Sequence, residues 1–178
     1  MPARIALLRG INVGGHAKIA MADLSAMVQG LGLAEPQTLL QSGNLVFRSD
    51  AATGVLERKL EAATAERFGF EVAYFLRDAA EWTDVIAANP FAQAAAAAPG
   101  HLLVQFLRRA PDAAAVAALQ AAMRGPEIVR AHGRQAYIIY PDGIGRSRLT
   151  GPMIEAKLGP ATGRNWNTVL KLAALAGL

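Results

Sequence analysis

Residues 3–19 read ARIALLRGINVGGHAKI. A short apolar run, Ile5 to Leu8, ends at Arg9 and gives way to RGINVGG, residues 9–15, with three glycines, an arginine and an asparagine. A run of that length closed by glycine reads as a buried strand over 4–9. Beyond the loop, Met21, Leu24, Met27, Val28 and Leu31 recur at helical spacing, and Gly30 and Gly32 end the pattern. The break therefore falls at a strand-to-helix crossover.

Working outward, Pro36 opens an extended piece at 37–41, and SGN at 42–44 is a turn signal of hairpin size. LVFR at 45–48 returns as a strand. TGVLERKLEAATAERF at 53–68 puts Val55, Leu56, Leu60, Ala63 and Phe68 on one face, which predicts a second helix. EVAYFLR at 71–77 is a fourth strand. The order βαββαβ spells a split βαβ, ferredoxin-like unit, an antiparallel four-stranded sheet with two helices on one face.

The second half repeats much of that order. DAAEWTDVIAAN at 78–89 predicts a helix capped by Asp78 and stopped by Pro90. The alanine run at 94–98, closed by Pro99-Gly100, reads as a connector or frayed helical insert. HLLVQFL at 101–107 is a strand, 111–123 a helix with proline at its start, and 127–131 and 135–140 are strands joined at His132 to Arg134. Helices follow at about 149–158 and 165–176. No fourth strand is legible, and a helix stands in its place. The expectation is an α+β chain of two tandem ferredoxin-like, α/β-plait halves, 1–77 and 101–178. They are joined by a helix and Ala-rich connector at 78–100, and the second is divergent with extra C-terminal helices.

Composition narrows the function classes. Hydrophobic residues make up 53% of the 178, so a packed core is expected rather than disorder. The absence of cysteine removes disulfides, thiolate metal sites and cysteine nucleophiles. No secretory signal or membrane-spanning run is visible, so the expected setting is a soluble, cytoplasmic protein. Residues 1–143 balance 13 bases against 13 acids, while 144–178 hold Arg146, Arg148, Lys157, Arg164 and Lys171 against Glu155 alone. The whole net charge of +4 lies in that last segment. It implies either an anionic partner at that end or a solvated basic helix face.

RGINVGG has neither P-loop nor dinucleotide-fingerprint spacing. Its glycines can still bare backbone N–H groups toward an anion at a helix start, with Arg9, Asn12, Gly14, Gly15 and Lys18 as candidate ligands. Equally, Gly10, Gly14 and Gly15 can serve only the crossover. Ser42 and Asn44 are candidates in the SGN turn, which also reads as a plain hairpin. The two motifs are expected at opposite ends of the sheet unless a bulged strand brings them closer. ATGRNWNT at 161–168 adds Thr162, Arg164 and Asn165, and Arg146 completes the basic set. Asn165 or Thr162 can cap a helix, Arg164 can pair an anion bidentately, and Trp166 reads as core or as a stacking platform. His16, His101 and His132 are scattered. Paired carboxylates, H-x-x-H and G-x-S-x-G are absent, so metal hydrolysis, glycoside cleavage and serine-hydrolase chemistry lack support. No metal or cofactor is expected.

Taken in order, RGINVGG with a following M-x-x-L, QSGNLVF at 41–47, NPF at 89–91, VQFL at 104–107 and ATGRNWNTV at 161–169 resemble the bacterial family catalogued as domain of unknown function 1697. The resemblance runs from about residue 3 to 172. It implies two α/β-plait halves in tandem, a soluble bacterial protein, no established cofactor and no assigned activity. One departure is Leu39-Leu40, where the family usually has an aromatic or β-branched residue before Gln-Ser-Gly-Asn; it reads as a packing change. Three function classes stay open. The first is a binding protein for an anion, whether nucleotide, phosphorylated metabolite or nucleic acid. The second is an enzyme on an anionic substrate, with His16 or His132 as base. The third is an interaction module, with oligomer formation through an open sheet face.

Overall fold

The computed structural model describes residues 1–178. The chain divides into two units, one of 1–84 with 171–178, the other of 85–170.

The first unit runs β1 (Ala3–Leu8), α1 (Met21–Gly30), β2 (Ala34–Leu39), β3 (Asn44–Arg48), α2 (Thr53–Phe68) and β4 (Tyr74–Asp78), followed by α3 (Ala79–Ala87). The sheet order is β2-β3-β1-β4, every pairing antiparallel. Alternate strand residues form one core face: Ala6 and Leu8, Leu45 and Phe47, Tyr74 and Leu76. They pack with Leu24, Met27 and Val28 of α1 and Leu56 and Leu60 of α2. That is the two-residue period of strands meeting the helical period. Ile5, Leu7, Val46 and Phe75, on the opposite face, are also at most 2% exposed. This explains why β1 reads as a continuous apolar run rather than an alternating one. It also corrects the expectation of an open sheet face awaiting a partner chain.

The edge strand β4 is protected by the helix beside it. Glu57 and Glu61 of α2 accept from the backbone N–H groups of Leu76 at 2.9 Å and Tyr74 at 3.0 Å. Donors that would otherwise invite strand addition are thus satisfied.

The second unit holds α4 (Ala92–Ala97), β5 (Leu102–Leu107), α5 (Ala113–Ala122), β6 (Ile128–His132), β7 (Gln135–Ile139), α6 (Gly151–Leu158) and β8 (Ala161–Asn165); α7 (Trp166–Ala176) follows. Its sheet order, β6-β7-β5-β8, reproduces that of the first unit. The reading of 161–165 as a loop before a helix is therefore corrected. Residues ATGRN form the fourth strand, paired with β5 from Ala161↔Leu107 to Asn165↔Leu103. A small, polar, glycine-containing segment carries little intrinsic strand signal, and its position beside β5 decides its conformation. Edge protection recurs here with a different residue. The Gln120 amide of α5 donates to Glu127 O at 3.0 Å and accepts from Val129 N at 2.9 Å.

The last strand of each unit ends alike. Arg77 and Arg164 are buried at the fourth position of β4 and β8, each with Nη1 on the preceding residue's carbonyl at 2.8 Å. The next residue caps the helix that follows. Asp78 Oδ1 accepts from Glu81 N at 2.9 Å while Glu81 Oε2 accepts from Asp78 N at 3.0 Å, a capping box. Asn165 Oδ1 accepts from Thr168 N at 3.0 Å. No helix is long and apolar enough to cross a membrane.

Candidate functional site

In the first unit the expectation of separated motifs fails for a simple reason. Strand β3 runs antiparallel to β1, so its start lies beside the end of β1, with Leu7 opposite Asn44. The RGINVGG loop and the SGN turn therefore share one sheet end. Asn12 staples them. Its Nδ2 donates to Ile19 O at 3.0 Å and Gln41 O at 2.7 Å, and its Oδ1 accepts from Ile19 N at 2.9 Å. Asn12 has φ of +55°, a conformation asparagine tolerates better than other side-chain-bearing residues. Both its donor hydrogens are spent within the protein, so its role is to hold the loop. Asn12→Ala is expected to cost about 2–3 kcal/mol in urea unfolding, from the lost bonds and the left-handed backbone.

The fully buried Asn44 donates to Leu39 O at 2.7 Å and Ser42 Oγ at 3.1 Å, closing the turn. Asn12, Gly15 and Lys18 line an open concavity of about 390 Å³ with Ile19, Ala20 and Gln41. Lys18 is its single charged group. Gly14 and Arg9 are exposed nearby in sequence but do not line it.

In the second unit Thr162, Arg164 and Asn165 serve the end of β8. Arg164 Nη1 donates to Thr162 Oγ1 at 2.8 Å, and burial lowers the Arg164 pKa to about 10. Asn165 is the cap, and Trp166 is 7% exposed, which favours the core reading over a stacking platform.

Arg146 stands elsewhere, on the wall of a cavity of about 450 Å³. Strand pairing builds this cavity too. Ile128 at the start of β6 lies opposite Ile139 at the end of β7, so segments 123–127 and 140–149 meet. Three arginines, Arg124, Arg146 and Arg148, line it, together with Glu127, Asp142, Tyr140 and Ser147. The arginine side chains are exposed and make no ion pair or hydrogen bond. Glu127, 6% exposed, accepts a short hydrogen bond from the Ser147 hydroxyl, whose oxygen accepts in turn from Leu149 N at 3.0 Å. Gly125 makes room for that carboxylate, since a Cβ there would overlap Glu127. Burial, and secondarily the charge of Glu127, pushes the Tyr140 phenol up to about 12, so it stays a neutral donor at physiological pH.

Tyr74 is likewise raised to about 12, chiefly by burial. Both phenols hold their protons longer in the native state than unfolded, so their stabilisation is complete below pH 10 and lost as pH climbs toward 12. Arg164, whose pKa burial lowers to about 10, acts in the opposite sense above pH 10, one group against two. A net fall in thermal midpoint is expected between pH 10 and 12, with the tyrosinate absorbance of Tyr74 and Tyr140 rising together with unfolding rather than ahead of it.

Only Arg146 of this cavity stands among the sequence-derived candidates. Arg124, Glu127, Tyr140 and Ser147 were missed. Their signal was the pair of turn-rich segments RGPE at 124–127 and YPDGIGRSR at 140–148, which antiparallel pairing of the flanking strands brings to one sheet end.

A solved structure of a conserved bacterial protein from Streptococcus pneumoniae is similar over 98% of both chains, with a TM-score of 0.76 at 22% identity, a likeness of fold. No curated protein matches the chain. The family model described as a protein of unknown function, DUF1697, matches residues 1–137, ending before the ATGRNW segment. The chain belongs to that family.

Proposed function

We propose that this protein binds a small phosphate-bearing anion in the cavity of its second unit. One observation carries the reading: three guanidinium groups without protein partners line a concavity of about 450 Å³. Arg124 comes from the loop before β6 and Arg146 and Arg148 from the segment after β7, and the pairing of the two strands gathers them at one cavity. The volume lies in the range of small-molecule sites and suits one monomer-sized ligand. Guanidinium groups match phosphate bidentately. Three guanidinium groups outnumber the two carboxylates of Glu127 and Asp142, so the lining keeps a net positive charge. The repeated βαββαβ order and matching sheet orders support reading each unit as a ferredoxin-like half.

The test is a thermal-melt series with ribose 5-phosphate at rising ionic strength. Saturating ligand, at about 100 times its Kd, should stabilise by about 2.7 kcal/mol. The gain should shrink as salt screens the exposed arginines. A melt indifferent to the ligand at low salt would refute the reading.

A further inference from the structure

The cavity wall is chemically divided. Beside the arginines lie two polar groups of opposite need, a phenol that donates and a carboxylate that accepts, and an anion satisfies only the first. Tyr140 is 3% exposed and its hydroxyl has no hydrogen-bond partner in the protein. Glu127 is 6% exposed; Oε1 takes the Ser147 proton, and Oε2 has no protein partner. A donor and an acceptor that face the cavity without protein partners suit a ligand group able to accept from one and donate to the other. A phosphate oxygen would meet Glu127 as a like charge, and an ammonium cannot accept from the phenol. A hydroxyl does both. The carboxylate is also built in rather than incidental: Ser147 holds it, Gln120 fixes its backbone, and Gly125 leaves it space.

Resting on the anion-binding reading above, we infer that the occupant is a phosphate ester carrying hydroxyl groups, a sugar phosphate in chemical class. Its phosphate lies among Arg124, Arg146 and Arg148, and a hydroxyl is held by Glu127 and Tyr140. Sites that hydrogen-bond a substrate hydroxyl discriminate strongly against analogues lacking it, because the protein groups are then left unpaired.

The experiment is calorimetric titration of wild type, Tyr140→Phe and Glu127→Gln with ribose 5-phosphate and with n-pentyl phosphate, which has the same carbon count and no hydroxyl. Wild type should prefer ribose 5-phosphate by at least about tenfold. Both variants should lose that preference while keeping the affinity of wild type for n-pentyl phosphate, which also shows that they fold. Equal binding of the two probes by wild type would overturn this inference and leave the anion-binding reading standing. Preference retained in both variants would overturn the assignment of the hydroxyl to Glu127 and Tyr140. Failure of both probes to bind would overturn the two readings together.

Discussion

The triple variant R124Q/R146Q/R148Q is expected to lose phosphate-ester binding by at least about 100-fold while melting within a few degrees of wild type. Each guanidinium that meets a phosphate oxygen forms a charge-assisted hydrogen bond, worth about 1.5–3 kcal/mol when well placed. These side chains are exposed, so about 1 kcal/mol each is the safer figure after solvent screening. Three such losses give about 3 kcal/mol, which is a factor of 100 or more in Kd. Stability should hardly move, because no ion pair or hydrogen bond of these side chains exists to be broken. Glutamine also preserves much of the apolar stem. Calorimetry read beside a thermal melt separates the two effects. An unchanged Kd would show that the arginines do not carry the binding, and a collapsed melt would show that they serve the fold.

Gly43→Ala is expected to destabilise the chain by about 3–4 kcal/mol, a large share of an ordinary domain's stability. Two causes add. Gly43 has φ of +85°, costing an alanine about 1–2 kcal/mol. Its new Cβ would also lie 2.7 Å from Leu8 Cβ and 2.8 Å from Ile11 Cδ1. Leu8 and Ile11 are at most 1% exposed, and the bond from Leu8 N to Gly43 O at 2.8 Å pins the turn to β1. Neither neighbour can retreat, so an overpacking cost of about 1–3 kcal/mol applies. Gly10→Ala is the control. Its φ is +68°, yet nothing lies within 4 Å of its Cβ position, so only the backbone cost is expected. Equal losses in denaturant unfolding for the two variants would show that crowding under the SGN turn is not the reason for a glycine there.

Both expectations turn on residues whose surroundings are set by tertiary pairing rather than by local sequence. Periodicity places α2 over 53–68 because its apolar positions and its flanking turns agree, and the βαββαβ order of the first half follows from periodicity and turn signals. Strand β8 was illegible because ATGRN is chosen by its neighbours. Gly163 lies against Gln105, and Arg164 and Asn165 tie down the strand end and start α7. A local rule would have helped: Arg followed by an Asx cap closes both β4 and β8. The site was harder still. In RGINVGG the glycines are the conspicuous residues, but Asn12 spends its hydrogen bonds on backbone groups of Ile19 and Gln41, and Gly43 fits beneath Leu8 and Ile11. Arg124 and Glu127 sit in an unremarkable turn, and become neighbours of Arg146 and Ser147 only through the antiparallel pairing of β6 with β7.

The most direct measurement is a two-dimensional amide NMR titration of isotope-labelled protein with ribose 5-phosphate at low salt. Saturable shifts confined to residues 122–127 and 140–153 are the expected result, with those at Gly125, Arg146 and Ser147 following one binding curve. Shifts centred instead on the loop at 12–20 and on Gln41, or no saturable shifts at all, would contradict the account.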